Sequence, residues 1–419
     1  MFYVPIRACR ACGSPNLDVM LDLREQALTG VFPKRDAAAV ADGPLVLVRC
    51  RGQCGLVQLA GDYALDEMYG ENYGYRSGLN VSMVRHLTQT VVGLRALRPV
   101  DAGDIVVDIG SNDGTTLGAY PRGPTLIGVD PTITKFDHHY RDDIIKCPDF
   151  FNAATYRAVA GDKNAKIVTS ISMFYDLPAP LQFVNDIASI LADDGVWHFE
   201  QSYLPLMLER NSYDTVCHEH LEYYGLAQIV WLLDQAGLCV VDVEFNDING
   251  GSFAVTARRG TTHTDKVRAL LQAEEQAVGP TAWRRFSDFV ARHRQELPAT
   301  LRALQQQGRT VFGLGASTKG NVILQYCGID SSLLPFIAEV NPDKFDCTTP
   351  GTKIPIVSEA DALAKKPDVL LVLPWHFRSS FVSTMQSFLA TGGRLLFPLP
   401  RIEFVDANGV VDDPAIVRA

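Results

Sequence analysis

Long apolar runs are missing from this chain: no stretch of its 419 residues approaches the ~18 consecutive apolar residues of a membrane-spanning helix. The opening residues, MFYVPIRACRAC, lack the apolar core of a secretory signal. A cytoplasmic chain with no membrane partner is therefore expected. Positive charge is also short. With 38 Lys and Arg against 48 Asp and Glu the formal net charge is -10, which argues against a nucleic-acid backbone as partner. Any phosphate ligand must be held by local groups. Nine cysteines, an odd number without secretory context, do not suit a disulfide framework and point to metal ligands and buried thiols. What remains, 47% hydrophobic and 21% charged residues, is ordinary for a globular enzyme of two or three domains.

The stretch that organises the chain is DIVVDIGSNDGTTLGAYPRGPTLIGVDP, from Asp104 to Pro131. An apolar strand (Ile105 to Val107) ends in Asp108, turns through Gly110, Asn112 and Gly114 into a helix, and a second strand (Leu126 to Val129) ends in Asp130. This is the opening of a doubly wound nucleotide-binding sheet. The dinucleotide fingerprint G-x-G-x-x-G is absent, and a carboxylate stands where a pyrophosphate would approach. Two negative groups so close in a partly dry site cost several kcal/mol as an order of magnitude. A ligand carrying an ammonium and a sulfonium is favoured instead. S-adenosylmethionine fits, with Asp108 near its amino-acid end and Asp130 accepting from the ribose hydroxyls. Asp149 and Phe150 are placed to flank the adenine, and Ser172 lies in the loop at the carboxyl end of the next strand, where such sheets collect ligands. Val240 to Phe245 and Gly251 to Arg258, joined by NDINGG, read as an antiparallel hairpin. A parallel sheet closed in this way is how class I methyltransferase folds end.

Before this unit, Cys9-Arg-Ala-Cys12-Gly and Cys50-Arg-Gly-Gln-Cys54-Gly give two cysteine pairs with a glycine after each second ligand. They read as a tetrahedral four-cysteine Zn2+ site, structural because four thiolates leave no open position; buried thiols without metal are the alternative. Tyr69, Tyr73 and Tyr75, beside Arg76 and Ser77 in a glycine-broken loop, suit a lid or substrate wall. An amphipathic helix is expected over Met83 to Leu97.

After the central strands comes the densest cluster of titratable groups, Tyr213 to Tyr224, with Cys217-His218-Glu219-His220. His-Glu-His is not a zincin motif, which needs histidines at i and i+4. Adjacent residues point to different sides, so one histidine can face a pocket as base while its neighbour is held by the scaffold. From about 264 to 308 the composition shifts to long charged helices. A second nucleotide-type turn then follows: Gly313-Leu-Gly315-Ala-Ser317-Thr318-Lys319-Gly320-Asn321, with Glu339 in the next strand. It has hydroxyls and a lysine at a helix start and no carboxylate, the makings of an anion cradle for substrate phosphates. TTPGTKIPI, Val369 to Leu373 with Pro374-Trp375-His376, and LLFPLPRIEF fill out a smaller α/β domain.

Taken in order, the two cysteine pairs, DIGSNDGT, His-Glu-His, NGGSF, GxGASxKGN and TPGTKIPI resemble the sugar-nucleotide C-methyltransferases of deoxysugar biosynthesis over nearly the whole chain. The resemblance implies an α/β protein of three domains: a zinc-binding domain over 1–75, a methyltransferase domain over 76–262 and a Rossmann-like domain over 311–410, with connecting helices at 263–310. It implies methylation of carbon 3 of a 4-keto sugar on a nucleoside diphosphate, His220 as base, Glu219 assisting and Tyr75 on the sugar. Tyr75 or His218 would stabilise the enolate. Substrate contacts are expected at Asp176, Cys217, Tyr223, Ser317, Lys319, Asn321 and Glu339, in a monomer or homodimer. This sequence departs from the family pattern in three places. Asp176 stands where a histidine is usual, Cys217 where a tyrosine precedes the base by three residues, and His376 follows Trp375 where asparagine is familiar. The first two bear on the substrate and on the position methylated. O-methylation of a sugar hydroxyl, and a non-catalytic sugar-nucleotide-binding protein, remain alternative readings of the same residues.

Overall fold

The computed structural model describes residues 3–63 and 76–418. Tyr69, Tyr73 and Tyr75 lie outside the described residues. Among the described residues no helix is long and apolar enough to cross a membrane.

The N-terminal part is an antiparallel sheet of Leu17–Ala27, Asp42–Cys50 and Val57–Leu59. Its fourth strand comes from far along the chain. Glu222–Tyr223 pairs with Val57–Leu59, Glu222 opposite Gln58 and Tyr223 opposite Val57. Alternate side chains of this sheet (Leu21, Leu23, Leu45, Leu47, Leu59) are buried, the period-two signature of a one-faced sheet.

The central domain is a seven-stranded sheet. Thr125–Val129 and Ile144–Cys147 lie in parallel on one side of Ile105–Ile109, with Ala165–Ile171 and Leu191–Ser202 on the other. Ser252–Arg259 pairs antiparallel to Leu191–Ser202, and Leu238–Asn246 closes the edge. All five residues of Ile105–Ile109 are buried, as a strand covered on both faces requires. The helix Val81–Leu97 presents Met83, Leu87, Val91 and Leu94 as one apolar stripe and begins at Asn80, whose side chain accepts from Ser82 N. This is the class I methyltransferase arrangement.

Two helices follow, Asp265–Ala277 and the 27-residue Pro280–Gln306, which buries Trp283, Phe286, Val290, Leu297, Leu301 and Leu304. The C-terminal sheet is again mixed. Ile356–Ser358, Ile337–Glu339, Val311–Leu314, Val369–Val372 and Arg394–Phe397 run parallel, and Glu403–Asp406 and Gly409–Val411 turn back.

The N-terminal domain is wedged against both others. Its cysteine knuckles share a core with the methyltransferase sheet, while its β-sheet shares a core with the long helix and the C-terminal sheet. Asn321, expected on the substrate, instead donates from Nδ2 to Thr29 O at 2.7 Å and is buried in this seam. Gln325 on the same helix exchanges two hydrogen bonds with the backbone of Ala27. Burial of these backbone groups leaves no water to satisfy them, so the helix supplies the partners.

Glu274 ties the connecting helices to the central domain. The helix Leu226–Gln235 starts at Gly225, which has no side chain to cap it. Glu274 reaches across instead and accepts from Leu226 N (2.6 Å), Ala227 N (2.9 Å) and Tyr203 OH (2.6 Å). A Cβ on residue 225 would lie 2.7 Å from Glu274 Oε1, so glycine makes room for the carboxylate. Glu274→Ala strands three buried donors and should cost about 2–4 kcal/mol. The expected result is a lower denaturant midpoint at unchanged slope, with Glu274→Gln intermediate.

Candidate active site

The carboxyl ends of the parallel strands and the edge of the C-terminal domain enclose a cavity of about 360 Å³. Asp108 ends the first strand at its floor, 2% exposed. The Thr169 hydroxyl donates to Asp108 Oδ1 at 2.6 Å, and Thr116 also bonds it. Burial pushes the Asp108 carboxyl up to about 7, nearby Asp130 adds to the rise, and the two hydroxyls oppose it. Asp130 Oδ2 accepts from Asn112 N (2.8 Å), and Oδ1 accepts from Thr132 N (2.7 Å) and Thr132 Oγ1 (2.6 Å). These bonds fix the carboxylate, filling Oδ1 and leaving Oδ2 one lone pair for a hydroxyl.

Two glycines of the turn have positive φ for different reasons. A Cβ on Gly110 (φ 72°) would meet Met173 at 2.9 Å, beside the cavity. Gly114 (φ 75°) does not line the cavity; it lets the Tyr140 ring pack under the turn, where Tyr140 OH bonds Ser111 Oγ (2.7 Å) and Asn112 O (2.9 Å). The structure thus places this glycine, expected on the cofactor, in the packing of the turn. Asn112, Ser172 and Asn249 all line the cavity with φ between 50° and 54°. Such left-handed non-glycine residues store strain and cluster at functional sites. Asp149 and Phe150 line the cavity as well, Phe150 half exposed. The helix over the cavity is clamped by His86, whose Nε2 lies 2.9 Å from both oxygens of Glu200.

The His-Glu-His segment lies at a turn that sends Glu219 and His220 to the cavity and His218 away from it. His220 lines the cavity and its Nδ1 lies 2.9 Å from Thr215 O. A carbonyl only accepts, so Nδ1 carries the proton and Nε2 keeps a lone pair. Burial, with help from the Lys319 charge, pulls the imidazole down to about 4. The Tyr175 ring packs on it at 4.3 Å between centroids. Glu219 lines the cavity with Oε2 buried and without a hydrogen-bond partner, and burial raises its carboxyl. A Cβ on Gly30 of the N-terminal domain would collide with Glu219 Oε1, so that glycine fixes the carboxylate's path. Cys217 and Asp176 line the same cavity.

His218 points the other way. It is fully buried against the N-terminal sheet, edge-on to Tyr63 at 4.7 Å, with its nitrogens 3.4 Å from Thr29 Oγ1 and Gly43 O. It does not line the cavity, because the turn at 218–219 sends its ring to the N-terminal sheet while His220 faces the cavity. Tyr223 does not line the main cavity: in the fourth strand of the N-terminal sheet it is buried, and it lines a small adjoining pocket with His220 and Tyr175.

The second turn opens onto the main cavity. Thr318 and Lys319 line the same cavity as Asp108 and His220. Ser317 caps its own helix by accepting from Gly320 N at 3.0 Å, which removes that amide from any ligand. Glu339 accepts from Ala316 N (2.8 Å), Val340 N (2.8 Å) and Asn341 N (2.9 Å), bracing the turn. Both were expected on the substrate and both are absorbed by local backbone donors. The sequence reading missed Thr169, Tyr175, Thr215 and Asn249. Only Asn249 carried a local signal, as the left-handed residue that an N-G-G turn invites.

The four cysteines converge. The sulfurs of Cys9, Cys12, Cys50 and Cys54 all lie within 4.8 Å of one another, with Cys9–Cys54 and Cys12–Cys50 at 3.5 Å. A tetrahedral ion with Zn–S near 2.3 Å sets its sulfurs about 3.8 Å apart, so the set fits Zn2+. Gln58 Nε2 (3.1 Å to Cys9 Sγ) and Gly52 N (3.2 Å to Cys50 Sγ) supply donors suited to thiolates. Arg10, between the first two ligands, donates to Leu59 O (2.8 Å), Gly61 O (2.9 Å) and Asp62 (2.6 Å), with Glu222 at 3.8 Å. The knuckle therefore buttresses the strand two residues beyond His220. Metal analysis should find about one zinc per chain. Stripping it with a mercurial should lower the melting temperature and turnover together, and re-addition should restore both.

Comparison with known proteins agrees with this geometry. A zinc binding domain family matches residues 9–69, a methyltransferase domain family residues 85–243, and a C-methyltransferase C-terminal domain family residues 247–400. The C-methyltransferase NovU of Streptomyces niveus is 30% identical over 416 residues, 97% of this chain and 99% of its own length. Among solved structures, magnesium protoporphyrin IX methyltransferase from Synechocystis covers 45% of this chain and 91% of its own, at 14% identity and a TM-score of 0.34. With four cysteines that close a zinc site, a class I sheet ending in acidic strand tips and a relative of full length, the chain belongs to the S-adenosylmethionine-dependent C-methyltransferases.

Proposed function

We propose that this C-methyltransferase acts on a 4-keto-deoxysugar carried by a nucleoside diphosphate, at a carbon next to the ketone, carbon 3 being the expected position. The observation that carries the reading is His220: a buried imidazole whose tautomer is fixed by Thr215 O and whose other nitrogen is a base in the cavity. A carbon next to a carbonyl can give up its proton to a positioned histidine because the carbonyl oxygen takes up the resulting charge. A burial-lowered histidine is neutral throughout the physiological range and therefore always ready to accept. S-adenosylmethionine, when bound, supplies a methyl carbon on a positively charged sulfur.

The chain's own groups divide the work along the cavity. Asp108 and Asp130 offer carboxylates to the carrier's ammonium and ribose hydroxyls, and Asp149 and Phe150 an acceptor and a ring face to its adenine. Toward the other side Tyr175, Asp176, Cys217 and Glu219 surround His220 and would hold the sugar. Removal of water by this enclosure strengthens each electrostatic contact, and placement of carbon against methyl supplies several kcal/mol more. The sugar-nucleotide part of the reading rests on the sequence resemblance, and mass analysis of products from a panel of 4-keto sugar nucleotides tests it. A gain of one methylene on carbon supports it; transfer only to a hydroxyl oxygen overturns it.

His220→Asn should lower kcat by about 10²–10⁴ while both ligands still bind. It should also abolish wash-in of deuterium from deuterium oxide next to the ketone. Near-normal turnover would remove the base assignment. Asp108 gives a pH signature. A cationic ligand binds its ionised form, so affinity for S-adenosylmethionine should be level above pH 7 and weaken roughly tenfold per pH unit below it. Calorimetry in buffers of different ionisation heat should detect a proton released on binding at pH 6. Asp108→Asn should bind more weakly and without that proton.

A further inference from the structure

We propose that Lys319 is a catalytic residue of the C-terminal domain: its ammonium donates a hydrogen bond to the ketone oxygen as that oxygen becomes an enolate. This assignment rests on the carbon-methylation reading above. Among the described residues lining the cavity there are five carboxylates, Asp108, Asp130, Asp149, Asp176 and Glu219, and a single lysine or arginine, Lys319. Negative charge arising in such a place is repelled from most sides and has one cation to go to.

The geometry holds that cation ready. Lys319 Nζ donates to the Asn249 carbonyl at 2.6 Å, its one hydrogen bond among the described residues. An ammonium has three protons, so two remain for a ligand. Asn249 is strained (φ 54°) and its own amide bonds Ser172 Oγ at 3.3 Å, so the hairpin loop anchors lysine and cofactor loop together. Asp214, which Lys319 influences by charge, accepts from Trp375 Nε1 at 2.8 Å and forms no ion pair with the lysine among the described residues. Lys319 is close enough to His220 to help keep the imidazole neutral. A role limited to distant phosphates does not explain a lysine placed beside the base.

In the step inferred, the C–H bond next to the ketone breaks and its proton passes to His220 Nε2. The C–H electron pair becomes the new carbon–carbon double bond, and the carbonyl π pair moves onto the oxygen facing Lys319. One imidazolium and one enolate result, and no oxidant or reductant is needed. Of the two donors expected for this oxygen from sequence, His218 faces the N-terminal sheet instead, and Tyr75 lies outside the described residues.

The test is deuterium wash-in next to the ketone, run on full-length zinc-loaded enzyme with a 4-keto sugar nucleotide and S-adenosylhomocysteine, alongside steady-state kinetics. Lys319→Met should slow wash-in and kcat together by about 10²–10³, with KM and S-adenosylmethionine affinity changed less than about threefold. The acid limb of its pH–rate profile should move to higher pH, because His220 loses a neighbouring charge. Added ethylamine should partly restore Lys319→Ala. Wash-in at the wild-type rate overturns the proposal, as does a tenfold rise in KM with kcat kept, which would assign Lys319 to phosphate. If Lys319→Met does not fold by circular dichroism, Lys319→Gln is read by the same criteria. Wild-type enzyme that washes no deuterium into any such sugar would sink the carbon-methylation reading itself, a result distinct from either outcome for the variants.

Discussion

The structure depends on one pairing, the two-residue strand Glu222–Tyr223 laid against Val57–Leu59. It fixes a segment from the central domain to the sheet of the N-terminal domain, two residues after the candidate base. Everything around that segment then has to conform. Arg10 of the zinc knuckle reaches toward Glu222, Gly30 makes room for Glu219, and His218 is buried on the sheet. From the opposite side Trp375 bonds Asp214, while Asn321 joins the C-terminal domain to Thr29. Three domains thus meet on one stretch of twelve residues, Tyr213 to Tyr224. A closed four-thiolate site is useful here because it stiffens a knuckle too small to have a core of its own.

Burial then sets the charges. Taking groups out of water favours their neutral forms, so Asp108, Glu219 and Asp214 move up and His220 and Lys319 move down. A cationic ligand favours the ionised form of Asp108, and a developing anion favours the ammonium form of Lys319.

Much of this was legible beforehand. The acid-tipped strands with their glycine turn, the closing hairpin and the two cysteine pairs are local patterns, each dictated by spacing along the chain. The structure brings Asp108, Asp130, Asp149, Phe150, Ser172, Asp176, Cys217, Glu219, His220 and Lys319 to one cavity. The residues that went elsewhere share a cause. Ser317, Asn321, Glu339, His218, Tyr223 and Gly114 are polar or special residues whose demands are met by nearby backbone or by a neighbouring domain. A sequence shows that such a residue needs a partner, not which partner is nearer.

The sequence by itself determined the fold class, the zinc ligands and the acid-lined turn that suits a cationic methyl carrier, because these follow from alternation, spacing and residue chemistry within short windows. Tertiary structure alone decided that His220 and not His218 faces the cavity, and that the lysine of the last domain shares it. Both depend on where a distant strand pairs and which face it buries, and that choice is made by contacts between residues more than a hundred positions apart.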